Sequence, residues 1–175
     1  GGIAAFVIGL NAFLANPKGR RIFDRVMMKM PIFGPLLRKV AVARFTRTLG
    51  TLVSSGVSIL DGLEITAKTA GNAVIQDAIM ASRSSIAGGD TIAAPLEKSG
   101  VFPPMVSQMI GAGESTGALD AMLAKIAEFY EDEVDEMVKG LSSLMEPFII
   151  VILGVLIGGI VVAMYLPIFK LGAVV

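Results

Sequence analysis

Residues 147–169 read PFIIVILGVLIGGIVVAMYLPIF and hold no charge across 23 positions. At about 1.5 Å per residue a helix of this length covers about 34 Å, enough to cross a hydrocarbon layer of about 30 Å. Tyr165 falls near the outer end, where an amphipathic ring suits the membrane interface. Buried helices of soluble proteins rarely stay uncharged for so long, so the stretch is read as a transmembrane helix. Composition agrees. Of 175 residues 54% are hydrophobic and 17% charged, with a mean hydropathy of +0.74. An average soluble domain carries about 25% charge.

Working outward, residues 1–17 (GGIAAFVIGLNAFLANP) are also uncharged. They are short for a span and are expected to be the inner part of a transmembrane helix cut at its start. A signal peptide would place positive charge before the apolar run. Here it follows, as Lys18, Arg20, Arg21, Arg25 and Lys29. By the positive-inside rule that flank marks the cytoplasmic side. The first span then runs inward and the second outward. Residues 170–175 form a short extracytoplasmic tail.

Residues 18–146 between the two runs carry helical punctuation. Val42, Phe45, Leu49 and Leu52 recur at steps of three and four and form one helical face. Gly56 stops that helix. Ser58 and Asp61 resemble a capping box for the next, with Leu60, Leu63 and Ile65 following. Gly71-Asn72 ends one helix and caps another, and Gly88-Gly89-Asp90 predicts a further break and cap. Pro103-Pro104 starts a helix that Gly117 ends. Leu119, Leu123, Ile126, Tyr130, Val134, Met137, Leu141 and Leu144 mark the apolar face of a long last helix. Pro147 either kinks that helix or starts a new one. Strand-length alternation is absent. The fold class is therefore an all-α membrane protein, a cytoplasmic bundle of about six helices flanked by two transmembrane helices.

Fifteen Lys and Arg balance fifteen Asp and Glu, so no global basic field attracts nucleic acid. The charge is segregated, however. Residues 18–47 hold nine Lys/Arg and one Asp, a net +8; residues 128–146 hold seven Asp/Glu and one Lys, a net −6. Two readings stand side by side. The charged faces are solvated and the basic one holds membrane lipid, or the two ends attract each other or dock on charged partners. Arg20, Arg21, Arg25, Arg38, Lys39, Arg44 and Arg47 are the candidate docking residues.

The chain has no Cys and no His, which removes disulfides, thiol nucleophiles, Cys/His metal sites and imidazole catalysis. No phosphate-binding GxxxxGK[ST], dinucleotide GxGxxG or nucleophile-elbow GxSxG occurs. Any nucleotide hydrolysis must come from another subunit, and the chain is read as non-enzymatic, without a cofactor. Glu128, Glu131, Asp132 and Asp135 lie along one side of the last helix. They are the candidate oxygen ligands for a divalent cation, although no Gly-turned binding loop accompanies them. Glu114 has no base, nucleophile or metal partner in sequence, and capping or bonding to its turn is its expected role. Gly154, Gly158 and Gly159 give the last span a small-residue face suited to helix packing.

Three blocks carry a resemblance: RFTRTLGTLVSSGVSILDGLEITAKTAGN (44–72), FPPMVSQMIGAGESTGALDAMLAKIAEFYEDEVD (102–135) and EPFIIVILGVLIGGIVVAMYLPIFKL (146–171). In this order they are similar to the type II secretion system F domain family, the inner-membrane platform proteins of type IV pilus assembly and type II secretion. The ending AMYLPIFKLGAVV is closer to the PilC-type pilus branch. The resemblance implies the C-terminal half of a three-span protein of the bacterial inner membrane, with its main domain cytoplasmic and no catalysis of its own. It also implies partners: cytoplasmic assembly and retraction ATPases, pilin subunits, other inner-membrane assembly proteins and further copies of the chain. Phe102, Pro103 and Pro104 match the family's FPP segment. Gly113, Glu114, Thr116 and Gly117 match its GExTG turn. Both segments are candidate partner contacts, beside the plainer reading that they shape a turn and a helix start.

Two alternatives frame this reading. One is a type II secretion platform that drives a pseudopilus. The other, of a different class, is a fragment of a small-molecule transporter, which would place polar or charged residues inside the spans. Only Asn11, Asn16 and Tyr165 break the apolar and small-residue pattern there.

Overall fold

The computed structural model describes residues 15–31 and 33–172, with side chains as far as residue 165. Among the described residues every regular element is a helix, and there are seven: α1 (Pro17–Lys29), α2 (Phe33–Ser54), α3 (Ile59–Lys68), α4 (Ala73–Ala87), α5 (Ala93–Lys98), α6 (Pro104–Thr116) and α7 (Leu119–Gly172). The chain divides into a first unit ending at Val134 and a second beginning at Asp135.

The first unit is the packed one. Its core takes Phe45 and Leu49 from α2, Leu63 from α3, Ile75 and Ile79 from α4, and Leu96 from α5. Val106 and Ile110 of α6 and Leu123, Ile126 and Tyr130 of α7 complete it. Phe102 closes one end with its ring centroid 4.8 Å from that of Phe45. The 3.6-residue apolar face expected in α2 is therefore the buried one. In α3, Leu63 is buried but Ile65 is exposed, so the apolar run there is wider than the face that packs.

Local chemistry explains the boundaries. The Ser58 hydroxyl accepts the Asp61 N–H and starts α3. Asn72 Oδ1 accepts the N–H groups of Val74 and Ile75 and starts α4. A further N–H of that end, from Ala73, goes to the Asp24 carboxylate of α1 at 2.8 Å. Arg21 reaches Asp77 at 3.2 Å, so α1 is tied to α4 twice. Arg83 of α4 donates to the Leu60 carbonyl and to Glu64, which also holds Lys68. These cations hold the Glu64 carboxyl below its ordinary range, Lys68 by hydrogen bond first.

Three expectations change. The basic segment after residue 17 is itself a helix, α1, begun by Pro17 and capped by Asn16, whose side chain accepts the Lys18 N–H. This raises the count above six. Asp90 does not cap α5. Its first residues follow Ile92, whose own side chain offers no cap, and the acceptor comes from α6 instead. Pro147 does not start a new helix, because α7 runs through it.

In the second unit α7 is exposed from Ser142 to Tyr165. It is the one helix among the described residues long and apolar enough to cross a membrane. The expected first span, residues 1–17, lies outside the described residues except for its last three positions. The Ser142 and Ser143 hydroxyls bond back to the carbonyls of Val138 and Lys139 at 2.9 and 3.1 Å. Pro147 has no N–H to offer the Ser143 carbonyl.

Candidate functional site

The sequence directs attention to two regions, the basic residues of α1 and α2 and the FPP and GESTG segments that bound α6. The opposite charges at the two ends of the domain do meet inside the first unit. Arg47 of α2 grips Glu131 of α7 bidentately, Nε to Oε1 at 2.8 Å and Nη2 to Oε2 at 2.5 Å. Lys39, one helical stretch earlier, pairs with Glu133. The hydrogen bonds from Arg47 hold the Glu131 carboxyl below its usual range, and Glu131 in turn raises Arg47. Beside them, burial and then the Glu133 charge raise the Tyr130 phenol.

The seven candidate docking cations are thereby sorted. Arg21, Lys39 and Arg47 are spent on Asp77, Glu133 and Glu131. Arg20, Arg25, Arg38 and Arg44 are exposed, Arg44 beside Gly71. Arg38 stands at the rim of an open groove of about 660 Å³, whose walls include Met28, Met30, Pro31, Pro103 and Tyr130.

The α6 segments are mostly architectural. Phe102 is buried against Phe45. Pro103 precedes α6 and walls the groove, and Pro104 occupies the first helical position, where no N–H is needed. At Gly113 a Cβ would lie 2.9 Å from Met122 Cγ and 3.0 Å from Leu119 Cα, so only a glycine lets α7 start this close to α6. Glu114 turns to α5, where both carboxylate oxygens accept the Ile92 N–H at 3.0 Å. Thr116 bonds back to the Ala112 carbonyl at 2.8 Å. Gly117 ends α6 with a left-handed φ of 72°, its N–H directed to the Gly113 carbonyl.

Among the described residues no three acidic side chains are placed to hold a metal ion. Glu131 faces Arg47, while Glu128 and Asp132 are exposed, as is Asp135 in the second unit. A Cβ added at Gly154, Gly158 or Gly159 meets nothing within 4 Å. Sequence reasoning missed one feature altogether. Ile22 and Val26 line the outside of α1, each 55% exposed, and Met30 follows at its C-cap, 39% exposed. Their i, i+4, i+8 spacing was the available signal.

Comparison with known proteins completes the picture. The family model described as "Type II secretion system (T2SS), protein F" matches residues 45–167. The chain is 55% identical to the type IV pilus assembly protein PilC of Myxococcus xanthus over all of this chain and 42% of that protein. It is 51% identical to PilC of Thermus thermophilus over 91% of this chain and 39% of that protein. To the type II secretion system protein F of Pseudomonas aeruginosa it is 33% identical, over 97% of this chain and 42% of that protein. The chain thus spans about two fifths of the length of these relatives. With the matched range covering the middle block and nearly all of the other two, and these two pilus-assembly relatives more than half identical, the chain belongs to the type II secretion system protein F family.

Proposed function

We propose that this chain is part of a non-enzymatic inner-membrane platform for type IV pilus biogenesis. In this reading it couples cytoplasmic assembly and retraction ATPases to the insertion and removal of pilin subunits. The observation that carries it is 55% identity, without loss of coverage of this chain, to a protein named for pilus assembly. The 33% identity to the secretion-system relative places the pseudopilus role second.

The physical features support the division of labour. The sequence has no nucleotide loop, so the energy source is another subunit. The packed domain faces the cytoplasm next to the basic flank, and 147–169 crosses the membrane. Movement received by the domain passes along α7, which runs from its core into the apolar stretch. Pilins, other inner-membrane assembly proteins and further copies of the chain are the membrane-side partners. Of the cations left exposed after the internal pairs are formed, Arg20, Arg38 and Arg44 are the docking residues.

A flexible Gly-Ser insertion beside Lys139 in the full-length protein tests the coupling. It is expected to abolish piliation while the protein stays in the membrane and remains crosslinkable to the ATPase. Normal piliation would overturn the coupling role of α7. Charge reversal at Arg38 and Arg44 is expected to weaken ATPase crosslinking; undiminished crosslinking would remove those residues from the interface.

A further inference from the structure

Large apolar side chains exposed on the first unit are not scattered evenly. Among the described residues there are nine, and five of them, Ile22, Phe23, Val26, Met30 and Phe33, lie within residues 22–33. The other four, Ile65, Met80, Met105 and Phe129, sit singly on α3, α4, α6 and α7. Isolated exposed apolar residues are ordinary, whereas a clustered stripe marks an interaction surface.

The inner side of α1 is already accounted for. Met28 is buried, the Asp24 carboxylate accepts the Ala73 N–H, and Arg21 is turned to Asp77. The helix's one acid and one of its arginines therefore face the domain. Outward it presents Ile22 and Val26 one turn apart, bordered by exposed Lys18, Arg25 and Lys29, while Met30 follows at the extended C-cap on the wall of the groove. An apolar stripe edged only by cations fits the surface of an anionic bilayer, where the stripe enters the acyl boundary and the cations meet lipid phosphates. A soluble acidic partner would complement the cations but not require the aliphatic stripe.

We infer that α1 is an interfacial helix that lies in the plane of the membrane, with Ile22 and Val26 inserted and Lys18, Arg25 and Lys29 on anionic phospholipid headgroups. This goes beyond pilus assembly and rests only on the membrane reading of residues 147–169. It makes α1 a further attachment of the packed domain to the bilayer, in addition to the expected spans.

The chain lacks cysteine, so single-cysteine reporters are available without other changes. The full chain is reconstituted in phosphatidylcholine vesicles with or without phosphatidylglycerol. An environment-sensitive fluorophore is attached at Ile22→Cys, Val26→Cys, Met80→Cys, Met105→Cys or Val155→Cys. With phosphatidylglycerol present, the labels at 22 and 26 are expected to shift to the blue and to be quenched by doxyl lipid rather than by aqueous iodide. Those at 80 and 105 should remain open to iodide. Removal of phosphatidylglycerol, or Lys18, Arg25 and Lys29 changed together to Gln, should return 22 and 26 toward the aqueous response.

Iodide quenching at 22 and 26 while 155 reads lipid would overturn the inference and leave the membrane reading standing. An aqueous response at 155 would overturn both. Protection of 22 and 26 from both quenchers would mean that protein covers the stripe, which also overturns it. Insertion that is indifferent to phosphatidylglycerol and to the three neutralisations would overturn the assignment to anionic lipid.

Discussion

Glu114 on α6 holds the start of α5 by accepting the Ile92 N–H with both carboxylate oxygens at 3.0 Å. A six-residue helix has little stability of its own, and its first N–H groups need acceptors that its own residues do not provide. Glu114→Ala should therefore cost about 1–2 kcal/mol. Glu114→Gln should cost less, because an acceptor oxygen remains. Denaturant unfolding measures the loss, and hydrogen exchange at the Ile92 amide locates it. An Ile92 amide equally protected in the alanine variant would show that the bond is unimportant.

The turn after Glu114 depends on two glycines for different reasons. Gly113→Ala drives a methyl against Met122 and Leu119 Cα and should cost about 1–3 kcal/mol. Gly117→Ala has open space but a φ of 72°, so its cost should be about 1 kcal/mol. The ordering of the two midpoints checks the argument; a larger loss at 117 contradicts it.

Arg47 and Glu131 give a pH dependence with a fixed sign. The Glu131 carboxyl is held down in the folded state, so its contribution is complete above the ordinary carboxylate pKa of about 4.3. It is lost as pH falls through the lowered folded value. Both side chains are nearly half exposed, so the pair contributes under about 1 kcal/mol and weakens with salt. The stability gap between the native chain and Arg47→Gln should shrink on acidification below that range. A gap that stays constant through the acid range would assign the effect of Arg47 to packing.

Ser107 is 2% exposed and its Oγ has no hydrogen-bond partner among the described residues. Removing an unsatisfied buried hydroxyl relieves a desolvation penalty, so Ser107→Ala should be neutral or stabilising by up to about 1 kcal/mol. Thermal unfolding decides it, and a lowered midpoint would mean that the hydroxyl is bonded in solution.

Much of the helical frame was readable from residues whose effects are local. Ser58, Asn72, Pro104 and Gly117 each act within a turn of themselves, and each marks a boundary where expected. Asp90 failed as a cap because the acceptor for α5 comes from Glu114, 22 residues beyond Ile92, and no local pattern encodes that meeting. The pairing of Arg47 with Glu131 spans 84 residues and was visible only as segregated charge. α1 was hidden for another reason. Its apolar stripe points away from the core, so reading apolar periodicity as burial gives it no place in the bundle. Of the candidate site, the FPP and GESTG segments proved legible as punctuation, because Phe102, Gly113, Glu114 and Gly117 all serve the packing of α6.

The serine bonds ahead of Pro147 bear on how α7 carries load. Ser142 and Ser143 share the carbonyls of Val138 and Lys139 with the helix ladder, and Pro147 leaves the Ser143 carbonyl without its usual donor. Such a segment resists stretching through its remaining bonds but yields more readily to flexure. The helix stays continuous, and the stretch from Lys139 to Pro147 is where it bends most readily. The place is a flexure joint rather than a break.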